Sequence, residues 1–484
     1  MSEAGLWYDE LHSVVRLSDT TLSRSDLITE RLSKDTSPPL FYMWLYEIKA
    51  LGLNTEFQMR LAQNTLFAAS MLLLWTRLNP VPGLLVRLMQ SAFLAGSYGL
   101  IYYTNELRSY SLMISLAVPQ SLVLLQILFA LHKRRDHPYG WIIALVIVSV
   151  PLTVVHYMGA VAVGTSFALI AGVVAANGRL RAALAVAVLG LVTCLPVTAW
   201  VLATQLSADN HPAGLLADPV FLVRQIDRFL HLVSGSIAAG LLLSILIAGA
   251  GWATVRAVMR QGAETPVELE AALWLGIFAA ATWLIAYALT IVVLPIVSMR
   301  NMLVTAPPIY LALACVIACW SRANGRTARA GIAMTMLYIL LSAASPLIEH
   351  DPLKLSSKKD WIASAERINE LEECVAQPII VVAAPVEFYR RYIDDASDVE
   401  LVRVGTATWI ARPGDGEIQQ RVELSDNEVV QARELTRSSR CDVKMWYVPT
   451  GFVSEGAALD LGAQIFDASS FRLERVGNAF LFHG

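Results

Sequence analysis

Five short patches hold the residue types that chemistry at a charged centre would need: Asp9-Glu10, Asp35 ahead of Pro38-Pro39, Asn105 to Tyr110, His156-Tyr157 and Arg300-Asn301. A carboxylate beside an apolar surface has a raised pKa and still ionises near neutral pH. Asp9 is therefore the candidate general base, and Glu10 the candidate supporting or substrate-orienting group. Glu106 and Arg108 share one short turn, where they either pair with each other or meet the sugar and phosphate of a substrate, with Tyr110 following. Arg300 has the planar fork that binds a phosphate bidentately, and it equally suits an anchor near lipid headgroups. His156, with Tyr157 beside it, reads as a sugar contact, a metal ligand or a hydrogen-bonded structural histidine. The last is favoured because no second histidine stands near it in sequence. Asp35 is either a substrate contact or the N-cap of a proline-started helix. Neither a GxGxxG, a P-loop, an HExxH nor a CxxC pair occurs.

The elements that position these patches are membrane-spanning. Of 484 residues, 56% are hydrophobic and only 16% charged, with a mean hydropathy of +0.53. A soluble domain would carry about a quarter charged residues. A net charge of -3 offers no basic surface for nucleic acid. Ten apolar runs are expected to span: Met59 to Trp75, Leu84 to Tyr103, Ser109 to Leu131, Trp141 to Val155, Gly159 to Ala176, Ala182 to Thr204, Val233 to Val255, Ala271 to Val297, Met302 to Trp320 and Ala330 to Ile348. Alternate connections carry Arg77; Lys133, Arg134 and Arg135; Arg179 and Arg181; Arg256 and Arg260; and Arg322, Arg326 and Arg329. By the positive-inside rule those connections are cytoplasmic. All five patches then fall on the outer side, as do the head (1–58) and the tail (349–484) that flank the helical region (59–348).

The head is expected to hold two interfacial helices, one with Trp7, Leu11, Val14, Val15 and Leu17, the other opening at Pro38-Pro39 with Leu40, Phe41, Trp44, Leu45 and Ile48. A polar head without a preceding span has no obvious route across a membrane, so the expectation is a further helix upstream. The tail reads as a small α/β domain. Its strands are expected at Gln377 to Ala384, Val399 to Gly405, Lys444 to Val448 and Ala479 to Phe482, with a helix at Val386 to Ile393. Cys374 and Cys441 lie in this tail and either pair as a disulfide, if it is translocated, or stay free thiols, since sequence gives no distance between them; Cys194, Cys315 and Cys319 fall in apolar runs and read as core residues.

Three motifs together resemble the GT-C superfamily of lipid-dependent membrane glycosyltransferases, in particular the RgtA/B/C/D-like, ArnT-like and protein O-mannosyltransferase-like branch. Trp7-Tyr8-Asp9-Glu10 is similar to that family's W-x-D-E segment. Asp35-Thr36-Ser37-Pro38-Pro39-Leu40-Phe41-Tyr42 is similar to its D-x-H/K-P-P-L-Y-Y segment, followed by a span start at Arg60-Leu61. Tyr103-Thr104-Asn105-Glu106-Leu107-Arg108-Ser109-Tyr110-Ser111-Leu112 is similar to its Y-x-x-E-x-R-x-Y-S-L segment. His156-Tyr157, Arg300 ahead of Pro307-Pro308, and Asp360-Trp361 are weaker echoes. The chain departs from the pattern at Ser37, where the family has His or Lys, and in lacking a span before the first motif.

The resemblance implies a GT-C-like helical bundle in a bacterial-type inner membrane, with a sugar on a polyprenyl phosphate as donor. The acceptor would be a hydroxyl of a lipid, glycan or protein. It also implies general-base attack at the anomeric carbon with inversion, since one carboxylate suffices without a covalent intermediate. Some relatives use a divalent cation, for which Asp9, Glu10 and Glu106 are the available hard ligands. The competing readings are a polytopic lipid or oligosaccharide transporter, for which broken helices near the midplane are not evident in the sequence, and a catalytically silent envelope-assembly protein.

Overall fold

A computed structural model describes residues 8–35, 37–132, 139–204, 219–261, 265–292, 297–322, 325–349, 362–382, 388, 393, 399–411, 418–448, 455–466, 471–476 and 479–484. The chain divides into two compact units. One holds residues 17–355; the other holds residues 3–16 together with 356–484. The head is thus divided after Arg16 and contributes to both units.

The first unit is a helical membrane bundle. After the proline pair, α1 (Leu40–Ala50) buries Phe41, Leu45 and Ile48 as its spacing predicts. α2 (Glu56–Leu72) starts at a capping box in which Thr55 and Gln58 satisfy each other's backbone N–H groups. There follow α3 (Leu84–Gly96), α4 (Tyr98–Thr104), α5 (Ser109–His132), α6 (Tyr139–Val155), α7 (Tyr157–Ala176) and α8 (Leu180–Thr204). The remainder are α9 (Pro219–Ser234), α10 (Ile237–Gln261), α11 (Val267–Val292), α12 (Ala306–Arg322, entered through a 3-10 turn, Asn301–Thr305) and α13 (Arg326–Glu349).

Seven of these helices are long and apolar enough to cross a membrane, and eight if α3 and α4, bent by 60°, count as one span. Over their described residues the ten expected runs are mainly helical, but the count of ten spans is not confirmed. α2 and α6 have 17 residues each, about 26 Å of helix against a hydrocarbon core of about 30 Å. α2 also carries Glu56, Gln58, Arg60, Gln63 and Asn64 in its first turns. The run that opens at Val233 in the sequence reading begins later. Residues 219–234 form the separate amphipathic helix α9, and α10 starts at Ile237. Along α8, Leu184, Val188, Leu191, Leu195 and Leu202 stand exposed. Such an apolar stripe is unfavourable in water and natural against lipid.

α5 and the Asn301–Arg322 segment are the most deeply buried spans and form the middle of the bundle. At one end Arg322 Nη2 donates to Glu268 Oε1 at 2.6 Å, and His132 Nδ1 meets Glu270 Oε2, tying α12 and α5 to α11. At their other end begin the polar turns described below. α6 and α7 meet closely there as well: a Cβ on Gly159 would run into the Leu152 carbonyl.

The bend between α3 and α4 is internally satisfied. Ser342 Oγ donates to the Gly96 carbonyl at 2.8 Å, Ser97 Oγ donates to the Val233 carbonyl at 2.8 Å, and Tyr310 Oη donates to Ser97 Oγ at 3.1 Å. Backbone groups freed by a break in a membrane helix need such partners. The bend is a correction to the sequence reading, in which no broken helix is evident.

The second unit is the α/β domain read from the tail. Its main sheet has the order β2-β1-β5-β7-β6, from β1 (Pro378–Val382), β2 (Glu400–Val404), β5 (Val443–Tyr447), β6 (Arg472–Val476) and β7 (Ala479–His483). β1 pairs in parallel with β2 and β5, while β7 runs antiparallel to β5 and to β6. β3 (Thr406–Ala411) and β4 (Ile418–Glu423) form a separate antiparallel pair. Helices α14 (Ile362–Asn369), α15 (Asp426–Ser438) and α16 (Glu455–Ile465) complete the unit. Ile380, Val382, Met445, Tyr447, Phe480 and Phe482 from three adjacent strands pack with Ala432 of α15 and Leu461 of α16. The four expected strands are present. The helix expected at Val386 to Ile393 lies outside the described residues, except for Phe388 and Ile393. Cys374 and Cys441 form a disulfide, joining the segment before β1 to the one before β5.

Candidate anion-binding site

Three of the five sequence patches meet in the first unit, and each stands at the start of a helix. Arg108 and Tyr110 flank Ser109 at the start of α5, His156 is the N-cap of α7, and Arg300 is the N-cap of the Asn301–Thr305 turn. The backbone N–H groups at a helix start have no intrahelical acceptor and carry a partial positive charge. Two arginines added to such starts make the region attractive to an anion.

Tyr110, 4% exposed, is the centre of the cluster. Arg108 Cζ lies 5.3 Å from its ring centroid and Arg300 Cζ 5.7 Å, within reach of the negative face of the ring. Its ring is 5.3 Å from that of His156 and 5.4 Å, edge-on, from that of Tyr103. The His156 and Tyr157 rings are 4.2 Å apart. Tyr157 and Tyr103 both lie within the electrostatic reach of Arg108 and Arg300.

The supporting contacts fix each patch. Gln63 Nε2 donates to the Thr104 carbonyl and, at 2.7 Å, to the Glu106 carbonyl, and Asn64 Nδ2 donates to Asn105 Oδ1 at 2.9 Å. Gln63 and Asn64 therefore hold the 104–108 turn from α2, whose Arg60 is also buried. Within that turn the Arg108 N–H donates to the Glu106 carbonyl at 2.8 Å. Arg300 is held on either side. The Met299 N–H donates to Gln225 Oε1 on α9 at 3.2 Å, and Asn301 Nδ2 donates to Tyr157 Oη at 3.0 Å.

His156 is 2% exposed, and its Nδ1 accepts the Met158 N–H at 3.1 Å. Burial, with the Arg108 and Arg300 charges adding, pushes its imidazole down to about 3, so the ring is neutral at physiological pH. With Nδ1 an acceptor, the single ring proton must sit on Nε2. Tyr42 on α1 reaches the same region. Burial, with the nearby Asp35 carboxylate adding, pushes its hydroxyl well above the usual phenol range, while Arg108 acts in the opposite sense.

Asp35 does not cap α1. Its Oδ1 accepts the Ser37 N–H at 2.8 Å, closing a turn ahead of the prolines, and the α1 N-cap is Pro39 without a side-chain bond. Glu106 is buried beside the cluster. Asp9 and Glu10 belong to the second unit, on the Tyr8–Leu11 turn; Glu10 is buried, and the side chain of Asp9 lies outside the described residues. Among the described residues, no three or more His, Cys, Asp or Glu side chains gather closely enough to hold a metal ion.

Sequence reasoning does not single out Gln63, Asn64 or Gln225. Gln63 and Asn64 stand three and four residues after Arg60, on one face of α2, and that spacing is the available signal. Compared with protein-family models and with curated proteins, the chain matches none.

Proposed function

We propose that the chain is an integral membrane glycosyltransferase of the GT-C type, taking a sugar from a polyprenyl-phosphate carrier at the outer face of a bacterial-type inner membrane. The carrying observation is the convergence of Arg108 and Arg300 on Tyr110 at two helix starts. A phosphate that leaves the anomeric carbon gains negative charge, and prearranged guanidinium and N–H donors stabilise that charge as it develops. Tyr157, half-buried beside the cluster, offers an aromatic ring suited to a sugar.

Asp9 is the proposed base that removes the acceptor proton, on the strength of its motif, with Glu10 supporting it. The acceptor is a lipid, glycan or protein hydroxyl. Attack on the anomeric carbon forms the new glycosidic bond as the bond to phosphate breaks, with inversion. The Cys374–Cys441 disulfide supports an oxidising, extracytoplasmic setting for the second unit. Arginines 77, 179, 181, 322, 326 and 329 support an outward-facing site in the first unit, since they flank the helix ends opposite it.

The bend between α3 and α4 favours a second reading, a lipid or oligosaccharide transporter, because broken helices often form transport sites. Against it, the Gly96 carbonyl at the bend is already occupied by Ser342. Purified protein in nanodiscs, offered a panel of polyprenyl-phosphate sugars, separates the two readings. Transfer predicts release of polyprenyl phosphate, whereas movement across the bilayer with the sugar-phosphate bond intact would favour transport.

A further inference from the structure

Among the described residues, His156 makes one hydrogen bond, the one its Nδ1 accepts from the Met158 N–H. Its ring is enclosed by Tyr110 and Tyr157 and buried to 2% exposure. The charged and titratable groups facing it are Arg108 and Tyr110 from the start of α5, Arg300 from the turn before α12, and Tyr157 from its own helix. Its Nε2–H makes no hydrogen bond to the described residues, so the one donor of the ring is open to a ligand. Here the backbone of α7 takes the acceptor nitrogen, and the ring stands within the electrostatic reach of Arg108 and Arg300, with the buried Glu106 carboxylate acting on the neighbouring Tyr103.

We infer that His156 is a phosphate-binding residue that works as a fixed, neutral hydrogen-bond donor: the α7 cap holds its tautomer, and Nε2–H points the proton at an oxygen of the donor phosphate beside Arg108 and Arg300. This inference rests on the proposed function and assigns His156 a specific part in it. Its role is hydrogen bonding, with no proton transferred. A neutral donor adds affinity for phosphate without adding a third positive charge to two guanidiniums, whose mutual repulsion a protonated imidazole would increase.

Two substitutions of nearly equal size separate this role from simple capping. Asparagine and aspartate are both good N-caps able to accept the Met158 N–H. The asparagine variant would retain an N–H donor, whereas an aspartate would present only acceptors to the phosphate. The probe is a polyprenyl methyl phosphodiester, which cannot transfer a sugar and keeps one charge, bound to the full-length protein in nanodiscs. His156→Asn is expected to bind it within about threefold of wild type, and His156→Asp about 10- to 100-fold more weakly. Wild-type affinity is expected to stay flat between about pH 5 and 8, where a histidine with an ordinary pKa would bind more tightly as pH falls.

Arg300→Ala is the control for the underlying reading. If it weakens binding while His156→Asp and His156→Asn both match wild type, His156 is a cap and the inference is wrong. Affinity that rises as pH falls through about 6.5 would also overturn it, because the binding form would then be the cation. If Arg300→Ala binds the probe as wild type does, the proposed phosphate site itself is wrong.

Discussion

Arg300, at the entry to α12, lies with its Cζ 5.7 Å from the ring centroid of Tyr110 on α5, so the two central helices of the bundle present their starts to one aromatic ring. Arg108 reaches the same ring at 5.3 Å. Residues nearly two hundred positions apart are thereby gathered into one electropositive locus, and its consequences can be tested one group at a time.

Arg300→Ala is expected to weaken binding of a polyprenyl-phosphate sugar. A hydrogen bond to a charged group contributes about 1.5–3 kcal/mol, which corresponds to about 10- to 150-fold in affinity. Arg300→Lys should recover part of the loss, since lysine keeps the charge without the planar fork. Titration of labelled donor into nanodisc protein measures both. An interfacial anchor would leave the affinity of either variant unchanged.

Asp9→Asn is expected to bind the donor normally and to lose about 100- to 10,000-fold in turnover, the usual contribution of a general base. Single-turnover transfer assays read the chemical step apart from binding. Full activity in a correctly inserted variant would remove Asp9 from the mechanism.

Gly159→Ala tests the α6–α7 contact that places His156. The added methyl would strike the Leu152 carbonyl, and overpacking of this kind costs about 1–3 kcal/mol. Lower thermal stability together with weaker donor binding is the expected outcome. A variant as stable as wild type would show that the helices can shift apart without cost.

The three patches at helix starts were legible in the sequence because ionisable residues at the ends of apolar runs stand out. Asn105 to Tyr110, His156-Tyr157 and Arg300-Asn301 all lie where the runs begin. What the sequence hid was their support. Gln225 sits in a stretch read as a loop because its polar and apolar residues mix, yet residues 219–234 form an amphipathic helix whose buried side includes Gln225, Phe229 and Val233. The α3–α4 bend was hidden as well, since Gly96-Ser97 sits in an unbroken apolar run and its partners Ser342 and Tyr310 are remote in sequence. In the second unit β6 was missed because Arg472, Glu474 and Arg475 make this edge strand resemble a solvated loop. The grouping of residues 3–16 with the tail is a long-range property that local pattern does not carry.

Acid should destabilise the bundle through His156. Its folded-state pKa is depressed to about 3, against an ordinary value of about 6.5. The unfolded chain therefore binds a proton over a range in which the folded one does not, and stability falls as pH drops from about 6.5 towards 3. His156→Asn does not titrate, so its thermal midpoint should vary less across that window. An identical pH dependence in the two proteins would contradict the burial described here.

The Cys374–Cys441 bond closes a sequence separation of 67 residues, and its removal by paired serine substitution should cost the second unit about 2–5 kcal/mol. Thermal unfolding of the full chain checks the magnitude. Alkylation of both cysteines in native, unreduced protein would instead show free thiols.

Equilibrium binding of a polyprenyl-phosphate sugar to the Arg108→Ala, Arg300→Ala double variant, compared with wild type in nanodiscs, asks whether the two guanidiniums around Tyr110 hold the donor phosphate. Saturable binding by the wild type and a loss of at least about 100-fold in the double variant, with the fold retained, are expected. Undiminished affinity in a folded double variant would contradict that role.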